Sequence, residues 1–131
     1  MANPAKLTVN ALVANGSVGQ PAGDTIDTDG VVPILAADHR GASGRLLIEV
    51  TNGDAVNGLD VTIVHGDNPP AAREGIGDLV VAIPASGVTY IGPLESARFM
   101  QADGSLQVGF DSDGGANATA TVRAALLPKA V

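Results

Sequence analysis

Hydrophobic and polar residues alternate with a period of two along much of this chain, and a helical period of 3.6 persists nowhere. The stretch from Leu7 to Val13 shows the alternation first, and similar stretches recur as far as Leu127. The pattern predicts seven or eight short strands, each of which turns every second side chain toward a core. The candidate strands are Leu7–Val13, Val31–Leu35, Arg45–Thr51, Leu59–His65, Leu79–Ile83, Val88–Ile91, Ser105–Phe110 and Ala118–Leu127.

The connectors between the later strands have the composition of chain reversals. Asn52–Gly58 contains two Asn-Gly pairs, which supply the positive φ that a reversing loop needs. This segment predicts a hairpin between Arg45–Thr51 and Leu59–His65. Pro84–Gly87 and Asp111–Asn117 predict two further hairpins between the strands on either side of them.

Two departures from the strand pattern have a specific structural meaning. Pro33 lies inside an apolar run and has no N–H to donate to a ladder, so it predicts an edge strand. Leu94–Gln101, which follows Gly92-Pro93, is the one stretch that predicts a short helical turn.

Together these elements predict an all-β fold, an antiparallel β-sandwich of seven to eight strands, jelly-roll or Ig-like, with one short helical turn. Seventeen glycines and eight prolines suit many short strands joined by turns. The length of 131 residues fits a single domain over 1–131. The ends, 1–6 and 128–131, predict arms that reach a neighbouring molecule or, equally, frayed termini. The long connectors 14–29 and 66–78 are candidates for functional loops.

The charge distribution argues against two classes of partner. The formal net charge is −7, and the seven cationic residues are scattered between Lys6 and Lys129. Nucleic-acid and anionic-membrane binding both need clustered basic residues, so neither is expected. The chain has no cysteine, no apolar leader and no run of about 20 apolar residues. We therefore expect synthesis in the cytosol without disulfides.

The sequence carries no recognisable catalytic signature. His39 and His65 are the only histidines, and each is expected to be a packed or solvent-edge residue. Gly-x-Ser-x-Gly and His-Glu-x-x-His motifs do not occur, and Gly75-Ile76-Gly77 lacks the third glycine of a dinucleotide loop. We expect a protein that is not an enzyme and needs no cofactor.

Two acidic runs raise the alternative of calcium binding. Their residues are Asp24, Asp27 and Asp29 in one run, and Asp111 and Asp113 in the other. Carboxylates at alternate positions beside glycine can wrap calcium, but neither run has the glutamate that closes a calcium loop. Asp-Gly is also ordinary turn chemistry, which is the preferred interpretation.

Surface composition favours a protein partner. Only 16% of the residues are charged, against roughly a quarter in average soluble proteins, so part of the apolar surface is expected to be covered. A carbohydrate-binding module is disfavoured because the chain has one tyrosine, Tyr90, and no tryptophan to stack on sugar rings. Tyr90 is expected to be a core or interface residue.

The stretch from Ile91 to Val108 carries a resemblance to a known family. The motifs of the family have four equivalents in and around this stretch. They are a strand ending in proline at Leu79–Pro84, then Gly92-Pro93-Leu94, then Gln101-Ala102-Asp103-Gly104, then an alternating strand at Leu106–Phe110. The strand Leu46–Asn52, which ends in Asn-Gly, is also similar. Over residues 43–110 the chain resembles the head decoration, or cement, proteins of tailed double-stranded DNA phages. It departs from them in having Leu94 where an aromatic residue is usual.

The resemblance implies a virion protein on the outer capsid surface that binds the phage major capsid protein and stabilises the mature lattice. It implies a homo-oligomer, a trimer or a dimer. An alternative is another virion component, such as a head-fibre base, a tail protein or a host-adhesion module. Arginine and aromatic residues are favoured interface anchors. The candidate contact residues are Arg98, Phe99, Leu94, Tyr90, Pro69, Pro70 and Lys6.

Overall fold

The computed structural model describes residues 3–66, 77–114 and 117–128, and these residues form two β-sheets with very little helix. The predicted all-β sandwich is thereby confirmed. The strands of the described residues are β1 Val9–Ala11, β2 Asp24–Ile26, β3 Gly30–Ile34, β4 Leu46–Asn52, β5 Leu59–Ile63, β6 Leu79–Ile83, β7 Val88–Ile91, β8 Leu106–Ser112 and β9 Ala120–Leu126. Two one-turn helices, α1 Ala36–His39 and α2 Ser96–Phe99, and a 3-10 turn, Ser43–Arg45, complete them.

The strand pairing is nested, with early strands bound to late ones. The first sheet has the order β1-β9-β4-β7, with β2 also on β9, and the second has the order β3-β8-β5-β6. The antiparallel pairs β2–β9, β3–β8, β4–β7 and β5–β6 run from the outermost to the innermost pair along the chain. This winding is that of a jelly roll, so the Ig-like alternative is wrong. The short β1 pairs in parallel with β9, so the first sheet is not wholly antiparallel.

The three predicted hairpins are wrong, because each of those connectors crosses from one sheet to the other. β4 belongs to the first sheet and β5 to the second, and the same holds for β7 and β6 and for β9 and β8. The turn residues reverse the chain as expected, but the strand that enters each turn finds its partner elsewhere. β4 pairs with β9 over seven register positions, and this long pairing replaces the local hairpin.

The central strands of each sheet show why the alternation predicted a sandwich. In β4 and in β9 every second residue is buried, and these side chains face the other sheet. The inward register pairs of these two strands are mostly aliphatic, as with Ile48 and Ala124. The core is mainly aliphatic, and Phe99 and Phe110 are its aromatic residues.

The remaining sequence predictions meet mixed outcomes. Pro33 does lie in an edge strand, since β3 stands at the end of its sheet. The helical turn predicted in Leu94–Gln101 is α2. The long connector 14–29 contains β2, which was not predicted and raises the strand count to nine within the described residues.

Neither α1 nor the 3-10 turn was predicted. α1 contains a buried histidine, His39, whose ring forms hydrogen bonds to the backbone near the helix and to a distant loop. The side chain of His39 is 1% exposed. Its Nδ1 accepts a bond from the Gly41 N–H at 3.1 Å, and its Nε2 donates to the Gly104 carbonyl at 2.6 Å. These two bonds hold the ring against the backbone at Gly41 and Gly104. His39 is therefore a packed structural residue, as expected.

Candidate functional site

A groove lies on the outer face of the first sheet, where the solvent-facing residues of its strands form rows. Tyr90, Glu49 and Arg123 occupy one such row on β7, β4 and β9, because their Cα atoms are register partners. Residues 18–21 pass over this face, and the Arg123 Nε donates to the Pro21 carbonyl at 2.8 Å. A cavity of about 140 Å³ lies between the segment and the sheet. We call it the Tyr90 groove.

The charged groups of the Tyr90 groove pair with each other. The Arg123 guanidinium and the Glu49 carboxylate are 2.9 Å apart, and their side chains are 23% and 16% exposed. The Tyr90 hydroxyl donates to Glu49, and this bond, together with the negative charge of Glu49, raises the pKa of Tyr90 above its usual value. What the groove offers to a partner is therefore apolar: the walls formed by Leu12, Val18 and Leu47, and the Tyr90 ring.

Tyr90 is unusually available for a large aromatic side chain. It is 62% exposed, and its neighbour on the same face of β7, Val88, is 55% exposed. The volume of the groove is well below the several hundred Å³ typical of small-molecule sites. Its size and lining suit one apolar side chain of a protein partner.

A second cluster of hydrogen-bonded residues, which we call the neck, lies where the chain leaves β5 and where it enters β6. The His65 Nδ1 and the Asp78 carboxylate are 2.6 Å apart, and Asp78 also accepts the backbone N–H of His65. These hydrogen bonds lower the pKa of Asp78. Arg98 donates to the carbonyls of Gly77 and Asp78, and the Gln101 amide donates to the His65 carbonyl. The neck thus joins α2 to both ends of the connector.

The predicted contact residues are separated by the structure. Tyr90 is exposed at the groove, and Arg98 is half-buried at the neck, with its guanidinium 4.7 Å from the centre of the Phe99 ring. Lys6 pairs with Asp38 at 3.1 Å. Pro69 and Pro70 lie outside the described residues.

Leu94 and Phe99 are corrections to the predicted set. They are 2% and 4% exposed and belong to the core, so their side chains are not presented to a partner. Phe99 is the buried residue of α2, and Leu94 precedes that helix.

The acidic residues considered for calcium are dispersed, and several accept backbone hydrogen bonds. Asp24 accepts bonds from the Thr8 N–H and hydroxyl, and Asp29 accepts bonds from two backbone N–H groups, those of Ser112 and Ala118. Within residues 3–66, 77–114 and 117–128, no group of three or more metal-ligating side chains is arranged to hold a metal ion. Asp24 and Asp29 instead connect strands.

Asp111 and Asp113 lie beside a third carboxylate, Asp60, that the sequence did not single out. Asp60 and Asp111 are register partners on β5 and β8. The pKa of Asp60 is raised, first by partial burial, then by a hydrogen bond with Asp113 and by the negative charges of Asp113 and Asp111. A carboxyl whose pKa is raised in the folded state disfavours folding when it is ionised.

We expect Asp60→Asn to stabilise the protein at pH 7, by about 0.5 kcal/mol, the scale of one unfavourable cross-strand charge pair. The penalty that the substitution relieves is present above the raised pKa of Asp60. It disappears as the pH falls below the unfolded value, near 4. Chemical denaturation of both proteins at pH 7 and at pH 3.5 measures this. Equal stabilities at pH 7 would show that the three carboxylates do not repel.

The groove includes two residues that sequence reasoning missed, Glu49 and Arg123. They are 74 positions apart, and only the β4–β9 register brings them together.

No helix among the described residues is long and apolar enough to cross a membrane. Comparison with protein-family models, with curated proteins and with solved structures found no significant match.

Proposed function

We propose that this protein decorates the outer surface of a phage capsid, where it binds the major capsid protein through the Tyr90 groove and stabilises the mature lattice. It acts by protein–protein contact. A protein that binds only the expanded lattice stabilises that state by mass action, and no catalytic step is needed.

The observation that carries the proposal is the exposed ring of Tyr90 beside an apolar groove. A tyrosine that is 62% exposed adds a large apolar surface in a chain with only two other aromatic residues, both of them buried. Tyrosine is enriched among the residues that dominate binding energy at protein interfaces. The internal pairing of Glu49 and Arg123 leaves the groove without a free charge to recognise a charged ligand.

Two further features support a capsid as the partner. The resemblance to decoration proteins spans residues 43–110, which contain five consecutive strands, β4 to β8, drawn from both sheets. The jelly roll occurs among viral capsid domains, although it also occurs among lectins and cupins. Since a fold does not define a function, the resemblance and the exposed groove carry more weight than the fold.

We expect Tyr90→Ala to weaken binding to expanded capsids by about 30-fold, the effect of removing an interface residue that contributes strongly to binding. Tyr90→Phe should keep most of the affinity because it retains the ring. Co-sedimentation with capsids assembled from the major capsid protein of the same genome measures this, with unexpanded procapsids alongside.

Val56→Ala is the matched control, since Val56 is 83% exposed but does not line the groove. It should bind as the unaltered protein does. If the Tyr90→Ala protein pellets with expanded capsids at unchanged occupancy, the groove is not the contact. If the unaltered protein binds host cells and no form of the capsid, the alternative of a host-adhesion module is correct.

A further inference from the structure

The two edge strands of the second sheet, β3 and β6, are protected to different degrees. An edge strand presents unpaired N–H and C=O groups, and proteins usually protect it with proline, charge or a covering segment. β3 has two of these protections, because Pro33 lies within it and the Leu7 N–H donates to the Pro33 carbonyl at 2.8 Å. Its inward side chains, Val32 and Ile34, are at most 1% exposed.

β6, at the opposite edge of the same sheet, has none of these protections among the described residues. Its sequence is Leu-Val-Val-Ala-Ile, with no proline and no charge. Val80 faces solvent and is 59% exposed. The inward side chains Leu79 and Val81 pack against the core but remain only partly buried. The part of the chain that the structure describes thus leaves this edge incompletely covered.

We propose that β6 is the interface between two copies of this chain, which pair antiparallel through it around a two-fold axis. The resemblance to decoration proteins implies a homo-oligomer, and this inference, which rests on the proposed function, gives that oligomer a surface and a symmetry. Its experiment uses no capsid, so that the dimer and the capsid contact can fail separately.

The backbone chemistry defines the class of partner. Free N–H and C=O groups along an extended edge are satisfied best by another extended strand. Antiparallel pairing of a strand with itself is self-complementary, as a two-fold interface requires. In a register centred on Val81, Val80 lies opposite Ala82 of the second copy and Leu79 opposite Ile83 of the second copy. Such apolar pairs stabilise neighbouring strands and would cover the partly exposed Leu79 and Val81.

The charge distribution favours this edge as the place where two copies can make contact. Each chain carries a net charge of −7, so two copies repel each other over most of their surface. No charged residue occurs between Asp78 and Glu95, a stretch that contains β6, the turn after it and β7. Two copies can therefore approach along this edge without bringing like charges into contact.

The test is the mass of the full chain in solution over a concentration series, measured by sedimentation equilibrium. We expect a concentration-dependent dimer of twice the 13.0 kDa chain mass. Val80→Lys should raise the dissociation constant by at least about tenfold, because it places two like charges at diagonal positions across the new strand pair. Its thermal unfolding should show that the protomer still folds.

Val31→Lys is the matched control. Val31 is 56% exposed on the outer face of the same sheet. It lies in the same row of register partners as Val80, and Gly109 and Thr62 stand between the two. It lies on the protected edge strand β3, so its substitution should leave the dissociation constant unchanged. A dimer that is weakened equally by both lysines would overturn the assignment to β6.

A second variant tests the register without a charge. The chain has no cysteine, so Val81→Cys introduces a single thiol at the centre of the proposed pair. Oxidation should cross-link two chains, while Val31→Cys should not. The proposal is overturned by a chain that stays monomeric at every concentration or forms a trimer, by a dimer that Val80→Lys leaves intact, or by a dimer that Val81→Cys fails to cross-link.

Discussion

Replacing Asn52 with alanine is expected to lower the free energy of unfolding by about 3 kcal/mol, because it removes a buried amide that links two sheet-crossing connectors. Asn52 ends β4 and is 2% exposed. Its Nδ2 donates to the carbonyls of Asn57 and Pro84 at 3.0 and 3.2 Å, and its Oδ1 accepts the Asp54 N–H at 3.0 Å. Alanine would remove this partner from three part-buried backbone groups and leave a void beneath them.

Urea denaturation followed by circular dichroism measures this loss. Asn117→Ala is the control, since Asn117 is exposed and its side chain accepts one hydrogen bond, from the Thr28 hydroxyl at 3.2 Å. That substitution should change stability by less than about 0.5 kcal/mol. Similar midpoints for the two variants would mean that the Asn52 amide contributes no more than a surface hydrogen bond.

Asn52 also explains why the strands could be predicted while their partners could not. The period of two defines which residues face the core, and the predicted strands from Arg45 onward coincide closely with β4 to β9. It does not define which layer a strand joins. An Asn-Gly connector reverses the chain equally well within a sheet and between sheets, and here the Asn52 side chain binds across the gap between the layers.

The unpredicted β2 shows a second limit of local patterns. Asp24–Ile26 has one buried residue, Ile26, within a connector rich in glycine and aspartate. It forms a strand because β9 offers a free edge there and because Asp24 accepts two bonds from Thr8. Both causes are distant in sequence, so no local signal marks this strand.

Of the residues that line the candidate site, the sequence indicated only Tyr90, because its residue type is rare in this chain. Tyr90 drew attention as the one tyrosine, and it lines the groove. Leu94 and Phe99 were misassigned because apolar and aromatic residues are common both in cores and in interfaces. Phe99 lies in a four-residue helix, which is too short for a periodicity that would separate its faces. Glu49 and Arg123 required the β4–β9 register, which the sequence does not reveal.

The motifs that carry the family resemblance have structural roles in this chain. Asn52 connects the layers, and Gly104 has a φ of +87°, where an added Cβ would meet the Ala36 Cβ at 2.8 Å. Asp103 accepts bonds from the N–H and hydroxyl of Ser105, which lower its pKa. Asn52, Asp103 and Gly104 thus build the fold, and the two docking proposals, which rest on Tyr90 and β6, need their own experiments.

Gly92, another residue of these motifs, is expected to be the position least tolerant of a side chain. Its φ is +126°, which non-glycine residues rarely adopt, and a Cβ there would collide with the backbone carbonyl oxygen of Leu46. Backbone strain costs about 1–3 kcal/mol, and the collision adds to it because Leu46 begins the central strand β4. We expect Gly92→Ala to lower the free energy of unfolding by about 4 kcal/mol.

The substitution should also displace Tyr90, because the collision separates the end of β7 from β4 next to the Ile48–Ile91 register pair. Gly44→Ala is the matched control, since an added Cβ there meets nothing within 4 Å, and it should change stability by less than about 0.5 kcal/mol. Urea denaturation compares the two variants, and amide exchange of the β7 residues reports the displacement. Unchanged protection of β7 in the Gly92→Ala protein would show that the β4–β7 pairing accommodates the methyl group and that the Tyr90 groove does not depend on this glycine.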